Sequence, residues 1–69
     1  MRKALFKIRE KMRRREFILG TNTTFNDACV TELLGDCGFD FIWIDMEHTT
    51  ITKDSAVQHL IACRASGAA

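Results

Sequence analysis

The sequence contains no proline, only four glycines, and three cysteines, an odd number. Without stretches rich in Pro, Gly or Ser there is no linker and no low-complexity segment, and no internal repeat is visible, so the chain reads as a single unit. Cys29, Cys37 and Cys63 lie eight and twenty-six residues apart. An odd count at these spacings, with no signal-peptide pattern, excludes a disulfide scaffold and points to a reducing, cytoplasmic setting. No pair has a chelating spacing, so all three are expected to be small buried hydrophobes. Long apolar runs are lacking too. The longest uncharged stretch, Phe17 to Asn26, is too short and too polar to cross a bilayer, which takes about 20 apolar residues.

What is present is the composition of a folded globular chain, 46% hydrophobic and 28% charged over 69 residues, which excludes disordered and fibrous classes. A chain this short buries only about 60% of the surface that it exposes when unfolded. Neither a disulfide nor a metal box compensates for the small core. The net charge of +1 hides a strong asymmetry. Residues 1–16 hold eight basic side chains against Glu10 and Glu16, a net of +6, while the remainder sums to −5. Such a segment is either a surface-adhering arm or a solvated helix balanced by the acidic remainder.

Leu5, Ile8 and Met12 recur at helical spacing among basic residues, which predicts an amphipathic helix over 2–14. Phe17-Ile18-Leu19 is a short apolar run of β type, with Gly20-Thr21 read as its breaker and Asn22 to Phe25 as a polar loop. Asn26 or Asp27 can cap a second helix through Ala28, Val30, Leu33 and Leu34, ending at a left-handed Gly38. Phe39 to Ile44 is rich in aromatic and β-branched residues and reads as a strand covered on both faces. A loop over Thr49 to Thr52 follows, with Thr52 as N-cap, Asp54 in the first turn, and Val57, Leu60, Ile61 and Arg64 along one side of a helix that stops at Gly67. Strands alternating with helices predict parallel βα units. Two strands do not complete such a sheet, which calls for further strands from a parent chain or from partners.

Asp45, Glu47 and His48 crowd the C-terminal end of the most hydrophobic strand, the place where parallel α/β folds bind ligands. Alternation places Phe41, Trp43, Asp45 and Glu47 on one face and Ile42, Ile44 and Met46 on the other. The residue pattern leaves two readings open: a catalytic cluster, or the solvated end of a strand followed by a loop histidine. Asp-x-Glu-His lacks the spacing of a zinc-protease helix box.

Gly20-Thr21, Gly38-Phe39-Asp40-Phe41, Ile44-Asp45-Met46-Glu47-His48 and Arg64-Ala65-Ser66-Gly67-Ala68 together resemble the opening of the HpcH/HpaI aldolases. These are hydroxy-oxo-heptanedioate and 2-keto-3-deoxy-sugar-acid aldolases with a pyruvate-kinase-like TIM barrel. The resemblance runs from about Leu5 to Ala69. It implies an α/β fold in which 1–16 is a basic amphipathic helix, 17–38 the first βα unit and 39–69 the second βα unit of a (β/α)₈ barrel, a fold of about 250 residues when complete. It also implies a class II lyase that reversibly cleaves 2-keto-4-hydroxy acids to pyruvate and an aldehyde. A divalent metal (Mg, Mn or Co) would stabilise the enolate oxygen, and its ligands are expected outside this segment, which would be inactive alone.

In that reading His48 is the catalytic acid and base, because an imidazole exchanges protons near neutrality, and Asp45 and Glu47 support it as outer-shell groups. The expected partners are a 2-keto acid, the remaining barrel strands and further copies in a homo-oligomer, with neither nucleic acid nor membrane. The chain departs from the family at Asn22, where a Trp often follows the Gly-Thr pair, and at Thr49-Thr50, where Gly-Pro or Ala-Pro often follows the His. His59 reads as a surface or packing residue, Arg64 as salt-bridged or solvated, and Trp43 as barrel core. The alternative function is a non-catalytic binding or assembly module, its basic helix set on an acidic partner, a membrane surface or nucleic acid.

Overall fold

The structure, a computed structural model, describes residues 2–69. Its elements in order are α1 (Arg2–Arg13), β1 (Gly20–Thr23), α2 (Ala28–Asp36), β2 (Phe41–Ile44) and α3 (Lys53–Ser66). This is a mixed α/β chain in which β1 and β2 pair in parallel, in the register Gly20↔Phe41 through Thr23↔Ile44. The α2 and α3 helices pack on one face of the pair, where Ile42, Cys63 and Ala68 form a small core with Leu34 against it. The other face is open: Phe41 is 38% and Trp43 67% exposed. The expectation that β2 is covered on both faces, with Trp43 in the core, therefore fails among the described residues.

The first strand also lies later than its apolar run suggests. Phe17 is 97% exposed and Phe17 to Leu19 form no strand. The reason lies at Gly20. A Cβ there would sit 2.0 Å from Cζ of Phe41, so the Phe41 ring rests on the bare backbone of β1, and the glycine belongs to the strand. Leu19 marks the entry, its N–H donating to Asp40 Oδ2 at 3.0 Å and its carbonyl accepting from the Asp40 N–H at 2.7 Å.

The caps follow the sequence closely. Asp27 Oδ1 accepts from the Cys29 N–H at 2.9 Å, Gly38 is left-handed at φ +106°, and Thr52 with Ser55 makes a reciprocal capping box on α3. Gly67 ends α3 at φ +88°. Beyond it, the Ala69 N–H donates to the Asp40 carbonyl at 3.0 Å and the Ile42 N–H donates to the Ala69 carbonyl at 2.9 Å. Those two bonds lie on β2 in the pattern of a parallel neighbour.

The packing selects which faces of two helices are buried. On α1 the buried residue among those described is Ala4, and Lys11 Nζ bonds Asp40 Oδ1 at 2.7 Å, whereas the apolar Leu5 and Met12 are 52% and 64% exposed. On α3 the buried stripe is His59, Ala62 and Cys63, and Val57, Leu60 and Ile61 face outward. At the end of α3 the helices approach closely: a Cβ on Gly35 of α2 would lie 1.8 Å from Ser66 Oγ, so only small residues fit at that crossing. Cys29 and Cys37 are exposed and only Cys63 is buried, so two of the three cysteines are not core hydrophobes. Among the described residues, no helix is long and apolar enough to cross a membrane.

Candidate active site

The C-terminal end of β2 turns sharply because Asp45 caps its own loop. Its Oδ1 accepts from the Glu47 N–H at 2.9 Å and from the His48 N–H at 3.2 Å, an arrangement that a short carboxylate makes readily. The same loop is tied from behind: Thr49 Oγ1 donates to the Asp45 carbonyl, and the N–H of the buried Ile51 donates to Thr49 Oγ1 at 3.2 Å. The Asp45 side chain is thus directed onto the turn rather than into the mouth of the fold.

Its second oxygen, Oδ2, stands 3.1 Å from His48 Nδ1. The backbone N–H of His48, followed by the His48 side chain, holds the Asp45 carboxyl below its ordinary value of 3.8. An ionised carboxylate only accepts, so Nδ1 carries the hydrogen of the neutral ring and Nε2 keeps its lone pair. The His48 side chain is 78% exposed, with Nε2 3.9 Å from Glu47 Oε2; the Glu47 side chain itself is 87% exposed. Asp45, Glu47 and His48 therefore come together as the sequence suggests, with Asp45 as the orienting group and Glu47 at the rim.

These residues border a cleft of about 710 Å³ on the open face of the sheet, floored by Gly20, Thr21 and Asn22 of β1 and by Phe41 and Trp43 of β2. Such a cleft combines an aromatic floor with a proton-exchanging group at one edge. It is not a cation site as it stands. Both Asp45 oxygens are taken by hydrogen bonds, which leaves the Glu47 carboxylate and one imidazole nitrogen, whereas Mg or Mn takes about six oxygen ligands. Among the described residues no cluster of three or more His, Cys, Asp or Glu is placed to hold a metal.

Two further features mark the surroundings of the site. Asp40 accepts from Lys11 Nζ and from the Leu19 N–H, and those two bonds, the side-chain one first, hold its carboxyl below its ordinary value of 3.8. His59 is wholly buried, the packing alternative of the two that the sequence leaves open. The i, i+3, i+4 spacing of His59, Ala62 and Cys63 is the signal that would have placed it on the packed side of α3. Arg64 is exposed. Comparison with family models, with curated proteins and with solved structures gives no match for this chain.

Proposed function

We propose that this chain contributes the opening of a (β/α)₈ barrel to an aldolase of the HpcH/HpaI type, which cleaves 2-keto-4-hydroxy acids to pyruvate and an aldehyde, and that His48 moves the proton. The observation that carries the reading is the Asp45–His48 pair, 3.1 Å apart at the carboxyl ends of parallel strands and beside an aromatic-floored cleft. With Nδ1 held by Asp45, Nε2 is the atom that takes the proton from a substrate hydroxyl as the carbon–carbon bond opens, and returns one to the enolate carbon. Asp45 keeps the ring in that tautomer and favours the imidazolium formed midway, as an orienting carboxylate does for a histidine base. Glu47 adds negative potential near Nε2. A divalent metal belongs to the reading as the group that stabilises enolate charge, but the residues present do not fit it by themselves, and no step here depends on it.

The test is pyruvate release from a 2-keto-4-hydroxy acid by the intact barrel that contains this segment. His48→Ala should lower kcat by about two to four orders of magnitude with KM nearly unchanged. Wild-type turnover in His48→Ala, with loss in Asp45→Asn or Glu47→Gln, would move the base to a carboxylate. A second reading, a binding module, draws on α1, where Leu5, Phe6 and Met12 are exposed among basic residues. It requires retention on an anionic surface that falls steeply with salt, and no retention at low ionic strength would eliminate it.

A further inference from the structure

A second polar network lies on the covered face of the sheet and plays no part in the proton transfer above. His59 of α3 is 0% exposed. Its Nδ1 is 2.6 Å from Thr31 Oγ1 on α2, and its Nε2 is 3.0 Å from the Asn26 carbonyl oxygen in the β1–α2 loop. The Thr31 hydroxyl, also 0% exposed, is 3.0 Å from that of Thr23, the last residue of β1. One imidazole thereby joins α3, α2, β1 and the loop between the latter two.

The partners dictate where the protons sit. A carbonyl oxygen can only accept, so Nε2 carries a hydrogen and donates it to Asn26. In the neutral ring Nδ1 is then an acceptor, and the Thr31 hydroxyl, the donor of the Thr31–Thr23 pair, directs its hydrogen toward both Nδ1 and Thr23 Oγ1. A purely apolar residue at position 59 would take the donor from the Asn26 carbonyl and leave the Thr31 hydroxyl only its bond to Thr23.

The position of the network gives it a use. Thr23 pairs with Ile44 across the sheet, so the next residues, Thr24 and Asp45, leave the two strands side by side. The loop pinned through Asn26 therefore flanks the turn that carries His48. We infer that His59, as its Nε2–H tautomer, is a positioning residue that anchors the β1–α2 loop beside the Asp45–His48 turn. The inference rests on the reading of that turn as the functional site only for its consequence; the anchoring itself does not require turnover.

The experiment is nitrogen-detected NMR on the 69-residue chain, read together with amide hydrogen exchange. The neutral His59 ring should show a protonated Nε2 and an accepting, unprotonated Nδ1. A hydrogen on Nδ1 in place of Nε2 would overturn the assignment. In His59→Ala the amides of Asn26 to Ala28 should lose protection by about tenfold or more while those of β2 hold, and the Glu47 and His48 amides should shift. His59→Gln, which keeps an N–H for Asn26, should restore most of that protection. Unchanged loop exchange and unshifted Glu47 and His48 amides in His59→Ala would refute the positioning role. Should His59→Ala fail to fold, Thr31→Val removes the donor to Nδ1 and spares the Asn26 bond. It should move the Nδ1 resonance with the loop still protected, and a loosened loop would place the anchor at Nδ1 instead. These readouts are independent of catalysis, so a silent His48→Ala would sink the aldolase reading and leave this one standing.

Discussion

Replacing Gly35 by alanine should destabilise the chain although it places a better helix former inside a helix. The new Cβ would lie 1.8 Å from Ser66 Oγ, 2.4 Å from Ser66 Cβ and 3.5 Å from Ala68 Cβ. The hydroxyl can swing aside, at the loss of its bonds to the Cys63 carbonyl at 2.7 Å and from the Ala68 N–H at 3.4 Å. Ser66 Cβ cannot, because it is fixed to the backbone. Reaching ordinary contact at 3.4 Å requires the last turn of α3 to retreat by about 1 Å. Overpacking of this kind costs about 1–3 kcal/mol, and exchanging a helical glycine for alanine returns roughly 0.5–1 kcal/mol. The expected net loss is about 1–2 kcal/mol, with a fall in Tm of roughly 4–8 °C for each kcal/mol in a domain of this size. Urea unfolding followed by circular dichroism on Gly35→Ala, Ser66→Gly and the double variant checks both the loss and its cause. Ser66→Gly removes the obstructing Cβ, so the pair should show a favourable coupling of about 1 kcal/mol or more. Stability at or above wild type in Gly35→Ala, or a coupling below about 0.5 kcal/mol, would refute close helix approach as the reason for glycine here.

Arg15 adopts φ 55° where the chain leaves α1, with the Glu16 N–H bonded to the Lys11 carbonyl at 2.9 Å; Arg15→Gly should therefore raise stability by about 1 kcal/mol, seen as a higher thermal midpoint. Asp27, Asp40 and Asp45 are all held below their ordinary value of 3.8 in the folded chain. Depressed carboxyls contribute fully above the unfolded value, so stability should be flat near neutrality, begin to fall near pH 4 and drop further as pH passes through the folded values; Asp40→Asn should flatten that acid limb in a pH series of unfolding curves. Trp43 is 67% exposed, so Trp43→Ala should cost less than about 1 kcal/mol, against roughly 3–5 for a buried aromatic. A loss in the larger range, growing with protein concentration, would show that another copy covers the open face.

The parallel βα order was legible because α2 and α3 announce their ends. Asp27, Gly38, Thr52 and Gly67 are residues whose local chemistry dictates their place, and the structure uses all four as the sequence suggests. The Asp45–His48 turn was legible for a related reason, since a carboxylate three residues before a histidine can close a turn on its own backbone. What was not legible depends on contacts distant in sequence. Gly20 looks like a breaker until Phe41, twenty-one residues away, is seen lying on it. Val57, Leu60, Ile61 and Arg64 share one side of α3, but which side meets α2 is set by contacts distant in sequence: His59, Ala62 and Cys63 are buried and Ser66 lies against Gly35.

The histidine that matters for the proposed chemistry hangs from the best-anchored element of the chain. On one edge β2 pairs with β1 over four residues, and at its start it also holds Ala69 through the Asp40 carbonyl and the Ile42 N–H. Asp40, just ahead of it, is pinned by Lys11 and by the Leu19 N–H. A strand tied on both edges and at its root has little freedom to tilt, so the turn at its far end inherits a fixed direction. Within that turn Asp45 spends one oxygen on two backbone N–H groups and the other on the imidazole, which leaves the ring one preferred orientation while Nε2 stays open to solvent. Exposure and fixity usually oppose each other at a strand end. Here they coexist because the restraint comes through the backbone of β2 and the Asp45 carboxylate, and nothing needs to cover the ring.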